Sequence, residues 1–212
     1  ATGDFDGDGT DDVAVGDPDG GAVYVFQGGA TLNGAMDVSD ARYTITEAGS
    51  GIGSALAFAD LDGDGSDELI IGTPDGGEGS IGVFVASELT ANASVAFGTG
   101  AHTVIDGSAT GDALGTTLAG LRDPSGQFGD AVAVGAPGTS GGNGAVYLFA
   151  GHRLLDGAAT LGSPDVQTVQ GGTSTMLHTG GAGDVDADGF PDLMVVSSPC
   201  GSAQFWVLGT DY

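Results

Sequence analysis

The sequence contains almost no basic residues. Its 212 residues include 29 acids but only three bases, all of them arginines, and there is no lysine. A chain with a formal net charge of −26 repels phosphate groups and attracts cations. We therefore expect no nucleic-acid partner and no binding to anionic membrane surfaces.

Cysteine and long hydrophobic runs are also scarce. The single cysteine, Cys200, excludes a disulfide within the chain. The apolar runs are only a few residues long, whereas a membrane-spanning helix needs about 20 apolar residues, so the sequence predicts no membrane insertion. Because an acidic motif begins at Asp4, we expect the chain to be a mature or excised piece of a longer protein.

Glycine, by contrast, is abundant, with 43 residues. The glycines follow no Gly-X-Y period, and β-branched and aromatic residues are spread along the whole chain, which excludes collagen and argues against a disordered tail. No stretch carries an apolar stripe at helical spacing over a useful length. This composition predicts many short strands joined by tight turns.

One acidic segment of nine residues recurs along the chain. It reads DFDGDGTDD from Asp4, DLDGDGSDE from Asp60 and DVDADGFPD from Asp184, and an eroded copy, DPSGQFGDA, begins at Asp123. These starting points are 56, 63 and 61 residues apart. Each copy is followed by an apolar strand, a turn of small residues that ends in proline, and a second strand of the type GAVYVF.

This period predicts an all-β fold of β-propeller blades, because a four-stranded repeat buries its faces by stacking on its neighbours. We expect one domain or fragment over residues 1–212, with four repeats at approximately 1–50, 51–112, 113–173 and 174–212. A β-sandwich is the main alternative, but it does not require an internal repeat of about 60 residues. The first repeat is expected to lack its inner strand, and open blade edges of this kind favour self-association.

The acids of the three intact loops occupy positions 1, 3, 5 and 9, and position 6 is glycine. The predicted metal ligands are Asp4, Asp6, Asp8 and Asp12 in the first loop, Asp60, Asp62, Asp64 and Glu68 in the second, and Asp184, Asp186, Asp188 and Asp192 in the last. A backbone carbonyl at position 7 would complete each set, from Thr10, Ser66 or Phe190.

Alternating carboxylates on a tightly wound loop suit a hard cation. Calcium takes 6–8 oxygen ligands at about 2.3–2.6 Å, magnesium prefers fewer carboxylates, and zinc prefers histidine or cysteine, which these loops lack. A solvated acidic turn would explain one such loop, but not three at repeat spacing. We therefore expect about three Ca²⁺ ions per chain.

The loop at Asp123 departs from this pattern. Positions 3, 5 and 9 are Ser125, Gln127 and Ala131, and the glycine of position 6 is replaced by Phe128. Asp130, at position 8, does not restore four carboxylates. The sequence predicts weak calcium binding there, or none.

The order of these motifs resembles the FG-GAP repeat of the integrin α-subunit N-terminal β-propeller, which also occurs in bacterial secreted proteins. The resemblance rests on the DxDGDGxxD loops, the GxVYxF strands and the single Gly-Ala-Pro at 135–137, and it extends over nearly the whole chain. The Phe-Gly pair of the family is Ile52-Gly53 and Leu114-Gly115 here, and it is lost near Leu177. The resemblance implies a non-catalytic, calcium-stabilised module that is extracellular or at the cell surface.

Two functions stay open at this point. The first is an adhesion or binding module for a protein or glycan, either alone or as part of a larger assembly. The second is the accessory propeller of a secreted enzyme that acts on polysaccharide. The flanking sequence of the parent gene would distinguish them, because a catalytic domain would favour the second.

Overall fold

A computed structural model gives the fold of the chain. It describes all residues except 31, 33, 76, 124–128, 158, 164–165, 172–175, 199–203 and 209–212, and for 176–182, 197–198 and 204–208 it describes the backbone alone. Cys200 and Pro199, which ends the last of the predicted turns, therefore lie outside the described residues.

The described strands form four sheets. The first sheet contains β1 (Thr2–Gly3), β2 (Asp12–Asp17), β3 (Ala22–Phe26), β4 (Tyr43–Thr46) and β8 (Ala93–Ala96), in that spatial order. The second contains β5 (Ala55–Ala59), β6 (Glu68–Thr73), β7 (Ser80–Phe84) and β9 (Thr103–Asp106). The third contains β10 (Thr117–Leu121), β11 (Ala131–Ala136), β12 (Ala145–Ala150) and β13 (Gln167–Gln170). The fourth contains β14 (Met176–Gly183), β15 (Asp192–Ser198) and β16 (Gln204–Leu208).

The helical segments among the described residues are short. They are α1 (Phe97–Gly100), α2 (Thr139–Gly142), α3 (Gly151–Leu155) and two turns of 3-10 helix at Val38–Asp40 and Ala86–Glu88. In the described part of the chain, no helix has the length and apolar character to cross a bilayer. The predicted all-β class is confirmed.

Neighbouring strands within each sheet are antiparallel, with one exception. In the first sheet, β8 pairs in parallel with β4, through Tyr43–Ala93 to Thr46–Ala96. This strand lies in the middle of the predicted second repeat, yet it extends the first sheet. The repeat boundaries themselves stay predictions.

The inner edge of the first sheet differs from the expectation of a missing strand. Thr2 pairs with Val13 and Gly3 with Asp12, so a two-residue strand occupies this edge. Ala1 and Ala14 add a reciprocal pair of backbone hydrogen bonds, each 3.0 Å long. A strand of two residues is too short to show an apolar pattern in the sequence. The sequence therefore could not reveal β1, although its two residues are enough to pair with the start of β2.

The core consists of the layers between consecutive sheets. The first layer joins Val23, Val25, Ile45 and Phe5 to Leu69, Ile71 and Phe84. The second joins Ile70, Ile81 and Val83 to Val132, Val134 and Phe149. The third joins Ala133, Val146 and Leu148 to Leu193 and Val195.

Strand β6 shows why these sequences form continuous apolar runs. Successive side chains of a strand point to opposite faces, and both faces of the second sheet are covered. Leu69 and Ile71 pack towards the first sheet, whereas Ile70 packs towards the third. All three are fully buried, so the run contains no polar alternation.

Glycine lets the backbones of neighbouring sheets touch. A Cβ atom on Gly72 would lie 2.1 Å from the carbonyl oxygen of Gly115, and one on Gly16 would lie 2.1 Å from that of Gly53. Gly53 and Gly115 have φ angles of 80° and 86°, which side chains rarely adopt. These contacts explain the Ile52-Gly53 and Leu114-Gly115 pairs of the repeats.

We predict that Gly72→Ala lowers the free energy of unfolding by about 1–3 kcal/mol, because the added methyl group forces two sheet backbones apart. Gly98→Ala is the matched control, since a Cβ atom there meets nothing within 4 Å. Urea unfolding of both variants measures the difference. Equal stability of the two variants would contradict the close approach of the sheets.

Candidate metal centre

The three intact acidic loops occupy the same place in their sheets. Each joins the first strand to the second: 4–12 follows β1, 60–68 follows β5, and 184–192 follows β14. Because the sheets stack in the same order, the loops lie at the same end of the fold. The eroded loop at 123–131 holds the corresponding place between β10 and β11.

Carboxylates wind each loop by accepting hydrogen bonds from its backbone. The amide of position 6 donates to the carboxylate of position 1, from Gly9 to Asp4 (2.8 Å), Gly65 to Asp60 (3.0 Å) and Gly189 to Asp184 (3.0 Å). The amide of position 7 donates to the carboxylate of position 5, from Thr10 to Asp8 (2.9 Å), Ser66 to Asp64 (2.7 Å) and Phe190 to Asp188 (2.8 Å). The loops therefore have one conformation, although their sequences differ.

The backbone conformation of the loop requires glycine at position 6. Gly9, Gly65 and Gly189 have φ angles of 86°, 95° and 99°, in the left-handed region. A side chain there would be strained, and the turn that directs position 9 back towards position 1 would be lost.

Each loop brings three carboxylates together. In every set, one oxygen atom from each residue lies within 4.8 Å of the others. The sets are Asp4, Asp6 and Asp8; Asp60, Asp62 and Glu68; and Asp184, Asp186 and Asp192. The structure thus gathers three of the four acids predicted for each loop.

The fourth acid of each loop has another contact. Asp64 and Asp188 accept the position-7 amides described above. Asp12 is buried, and its carboxylate accepts hydrogen bonds from the amides of Gly28 (2.7 Å) and Asp6 (3.3 Å). The role of the Thr10, Ser66 and Phe190 carbonyls as ligands stays a prediction.

Two buried oxygen atoms in the first loop fit a cation. Oδ1 of Asp4 and Oδ1 of Asp6 are shielded from solvent and accept no hydrogen bond from any described residue. Buried polar atoms nearly always have a partner, and leaving one unsatisfied costs about 1–3 kcal/mol. A divalent cation between these carboxylates would satisfy both oxygens, and an all-oxygen donor set favours calcium.

The electrostatics of the second loop also favour a cation. Burial raises the pKa of Glu68 to about 7, the Leu61 amide lowers it, and the charges of Asp62, Asp64 and Asp60 raise it further. Burial likewise raises the pKa of Asp12. Without a counter-ion, these loops resist the ionisation of their own carboxylates.

The eroded loop contains fewer described residues. Asp123 donates its amide to Oδ1 of Asp130 at 2.7 Å, and Ala131 begins strand β11. Ser125, Gln127 and Phe128 lie outside the described residues. Weak or absent calcium binding at this loop therefore stays a prediction.

Comparison with known proteins finds a known repeat in the part of the chain that contains the first two intact loops. A family model described as an FG-GAP-like repeat matches residues 4–71, which contain the first two intact loops. The chain contains FG-GAP-like repeats. Its stacked sheets are β-propeller blades, as the sequence predicted.

Several integrin α chains are similar to this FG-GAP repeat protein over more than nine-tenths of its length. Integrin alpha-5 of Xenopus laevis is 30% identical over 211 residues, which cover 92% of the chain and 19% of the relative. Integrin alpha pat-2 of Caenorhabditis elegans is 31% identical over 96% of the chain and 18% of the relative. Integrin alpha-PS2 of Drosophila melanogaster is 34% identical over 92% of the chain and 14% of the relative. The chain thus spans less than a fifth of each of these relatives.

We predict opposite effects of Asp62→Asn with and without calcium. In metal-free protein the substitution removes a charge that faces Glu68, so the melting temperature should rise slightly. In calcium it removes a ligand, so the affinity of this loop should fall by about tenfold or more, because ligand charge sets calcium affinity.

Thermal unfolding and calcium titration measure both effects, and Asp19→Asn is the control because Asp19 is an exposed acid outside the loops. If Asp62→Asn lowered stability equally in chelator and in calcium, Asp62 would not be a ligand.

Proposed function

We propose that this FG-GAP repeat protein is a non-catalytic, calcium-binding β-propeller module. The observation that carries the proposal is the convergence of three carboxylates in each of three loops, together with buried oxygens on Asp4 and Asp6 that accept no hydrogen bond from any described residue. The ion neutralises carboxylates that would otherwise repel one another, and it holds each loop in its wound form. The chain's own residues supply the ligands and the shape of the loop.

The place of action is proposed to be outside the cell or at its surface. Calcium sites of extracellular modules bind at about 0.1–1 mM, a range in which acidic loops of this kind are filled by external calcium. The similarity to integrin α chains supports an adhesion-type module that binds a protein or glycan. The high negative charge supports a partner recognised through bound cations rather than through basic residues.

Calcium is expected to supply much of the stability. At about 1 mM calcium and a Kd of about 0.1 mM, one site adds about 1.4 kcal/mol by mass action. Three such sites would add about 4 kcal/mol, compared with a typical total of about 5–15 kcal/mol for a domain.

We predict that calorimetric titration of chelator-stripped protein gives about three calcium ions per chain. Melting should shift upward in calcium, and magnesium should replace calcium poorly because it resists dehydration. The variant D4N/D60N/D184N, which changes position 1 of every intact loop, is the control and should lose the shift. A melting temperature indifferent to both chelator and calcium would refute the proposal.

We also propose that the first sheet associates with a second copy of the chain. Val15 is 46% exposed, whereas the residues at the same place in the other sheets, Ile71, Val134 and Val195, are fully buried against the preceding sheet. The second, third and fourth sheets use this face for sheet-on-sheet packing. The same face of the first sheet is therefore shaped to receive another sheet of the same kind.

We predict that Val15→Asp weakens self-association, while Val104→Asp does not. Val104 is a matched control because it is 39% exposed and lies on the second sheet. Sedimentation velocity over a range of protein concentrations measures both variants beside the unmodified chain. An unmodified chain that stays monomeric at high concentration, or equal effects of the two substitutions, would contradict the proposal.

A further inference from the structure

The loops of neighbouring blades are joined by a repeated pair of hydrogen bonds. The amide of Asp67, at position 8 of the second loop, donates to the carbonyl of Asp4 at 2.8 Å. In return, Oδ2 of Asp67 accepts the amide of Asp4 at 2.9 Å. The backbone of a position-1 residue in the first blade is thus held by one residue of the second.

The third blade repeats this contact on the second. The amide of Asp130 donates to the carbonyl of Asp60 at 2.7 Å, and Oδ2 of Asp130 accepts the amide of Asp60 at 3.1 Å. Its other oxygen, Oδ1, accepts the amide of Asp123 at 2.7 Å. Asp67 and Asp130 are 8% and 6% exposed, so both carboxylates are buried where these hydrogen bonds form.

The eroded loop has therefore kept one function. It has lost the acids of positions 3, 5 and 9, yet it retains Asp130 at position 8. The residue that Asp130 holds, Asp60, lies in a loop with a complete set of acids and accepts the amides of Gly63 (2.8 Å) and Gly65 (3.0 Å) through its carboxylate. Fixing the backbone of Asp60 fixes the carboxylate around which the second loop is wound.

Position 8 of the last loop also fits a relation in which the residue at position 8 holds the position-1 residue of the preceding loop. Pro191 occupies it, and proline has neither a backbone N–H nor a carboxylate, so this pair of hydrogen bonds cannot form with Asp123. The loop that begins at Asp123 is the one without a set of metal-binding acids. Among the three loops that follow another loop, position 8 is thus aspartate where the preceding loop has a full set of acids, as at Asp67 and Asp130, and proline where it does not.

We infer that Asp67 and Asp130 are positioning residues, each serving the calcium site of the preceding blade rather than that of its own loop. This inference rests on the proposed calcium binding. Residues that orient metal ligands are typically worth about 10–100-fold in metal affinity. Asp130 tests the inference better than Asp67 does, because the loop that contains Asp130 is expected to hold no calcium. An effect of its substitution on calcium binding must then act on another loop.

The test follows the amides of Gly9, Gly65 and Gly189 by NMR during a calcium titration, which gives one midpoint for each intact loop. Asp130→Ala should raise the midpoint at Gly65 by about tenfold or more and leave those at Gly9 and Gly189 unchanged. Asp130→Asn keeps one acceptor oxygen and should give a smaller shift. Asp11→Asn is the matched control, because Asp11 occupies position 8 of the first loop and is exposed.

A second measurement needs no calcium. The Asp60 amide should exchange its hydrogen faster in metal-free Asp130→Ala than in the unmodified chain, because its acceptor has been removed. An unchanged Gly65 midpoint, or equal shifts at all three glycines, would overturn the inference. If the unmodified chain showed no calcium response at any glycine, the proposed function and this role would both fall, while the exchange rate at Asp60 would still show whether the contact between blades exists.

Discussion

Electrostatic repulsion among the carboxylates of the three intact loops is the constraint on which the rest of the structure depends. Three acidic oxygens within 4.8 Å of one another are unfavourable unless a positive charge lies between them. Backbone amides supply part of that compensation by donating to the carboxylates of positions 1 and 5. Among the described residues, no group donates a hydrogen bond to Oδ1 of Asp4 or Oδ1 of Asp6, and a bound divalent cation fits that place.

The loops matter to the whole fold because each connects the first two strands of a blade. If a loop unwound, the first strand of that blade would no longer be held beside the second strand. The packing between blades requires the strands to keep their positions relative to the neighbouring blade. At Gly16 and Gly72 the blades are so close that an added Cβ atom would overlap a carbonyl oxygen of the next blade. Order in the acidic loops and close packing of the sheets are therefore parts of one cooperative structure.

Much of the fold could be predicted because the repeat places the same residues in the same roles. The acidic loops, the apolar strands after them and the glycine pairs all recur at matching positions. Contacts between repeats were harder to predict. Strand β8 has an exposed, weakly patterned sequence and joins the first sheet in parallel, which no local pattern indicates.

The metal loops show the same division between local and distant contacts. Position 6 requires glycine for a reason that is visible in sequence, and the acids of positions 1 and 3 lie close together in all three intact loops. Which third acid joins them differs between loops: Asp8 in the first, but Glu68 and Asp192 in the others. Asp67 and Asp130 could not be recognised from their own loops, since the groups they hold belong to the preceding blade.

The central proposal is that a calcium ion holds each of the three intact acidic loops in its wound form. Residue-resolved amide hydrogen exchange at Gly9, Gly65 and Gly189, compared in calcium and in chelator, tests it most directly. The account predicts exchange about tenfold slower in about 1 mM calcium at all three amides, as expected for a site with a Kd of about 0.1 mM. Equal exchange rates in calcium and in chelator would contradict it.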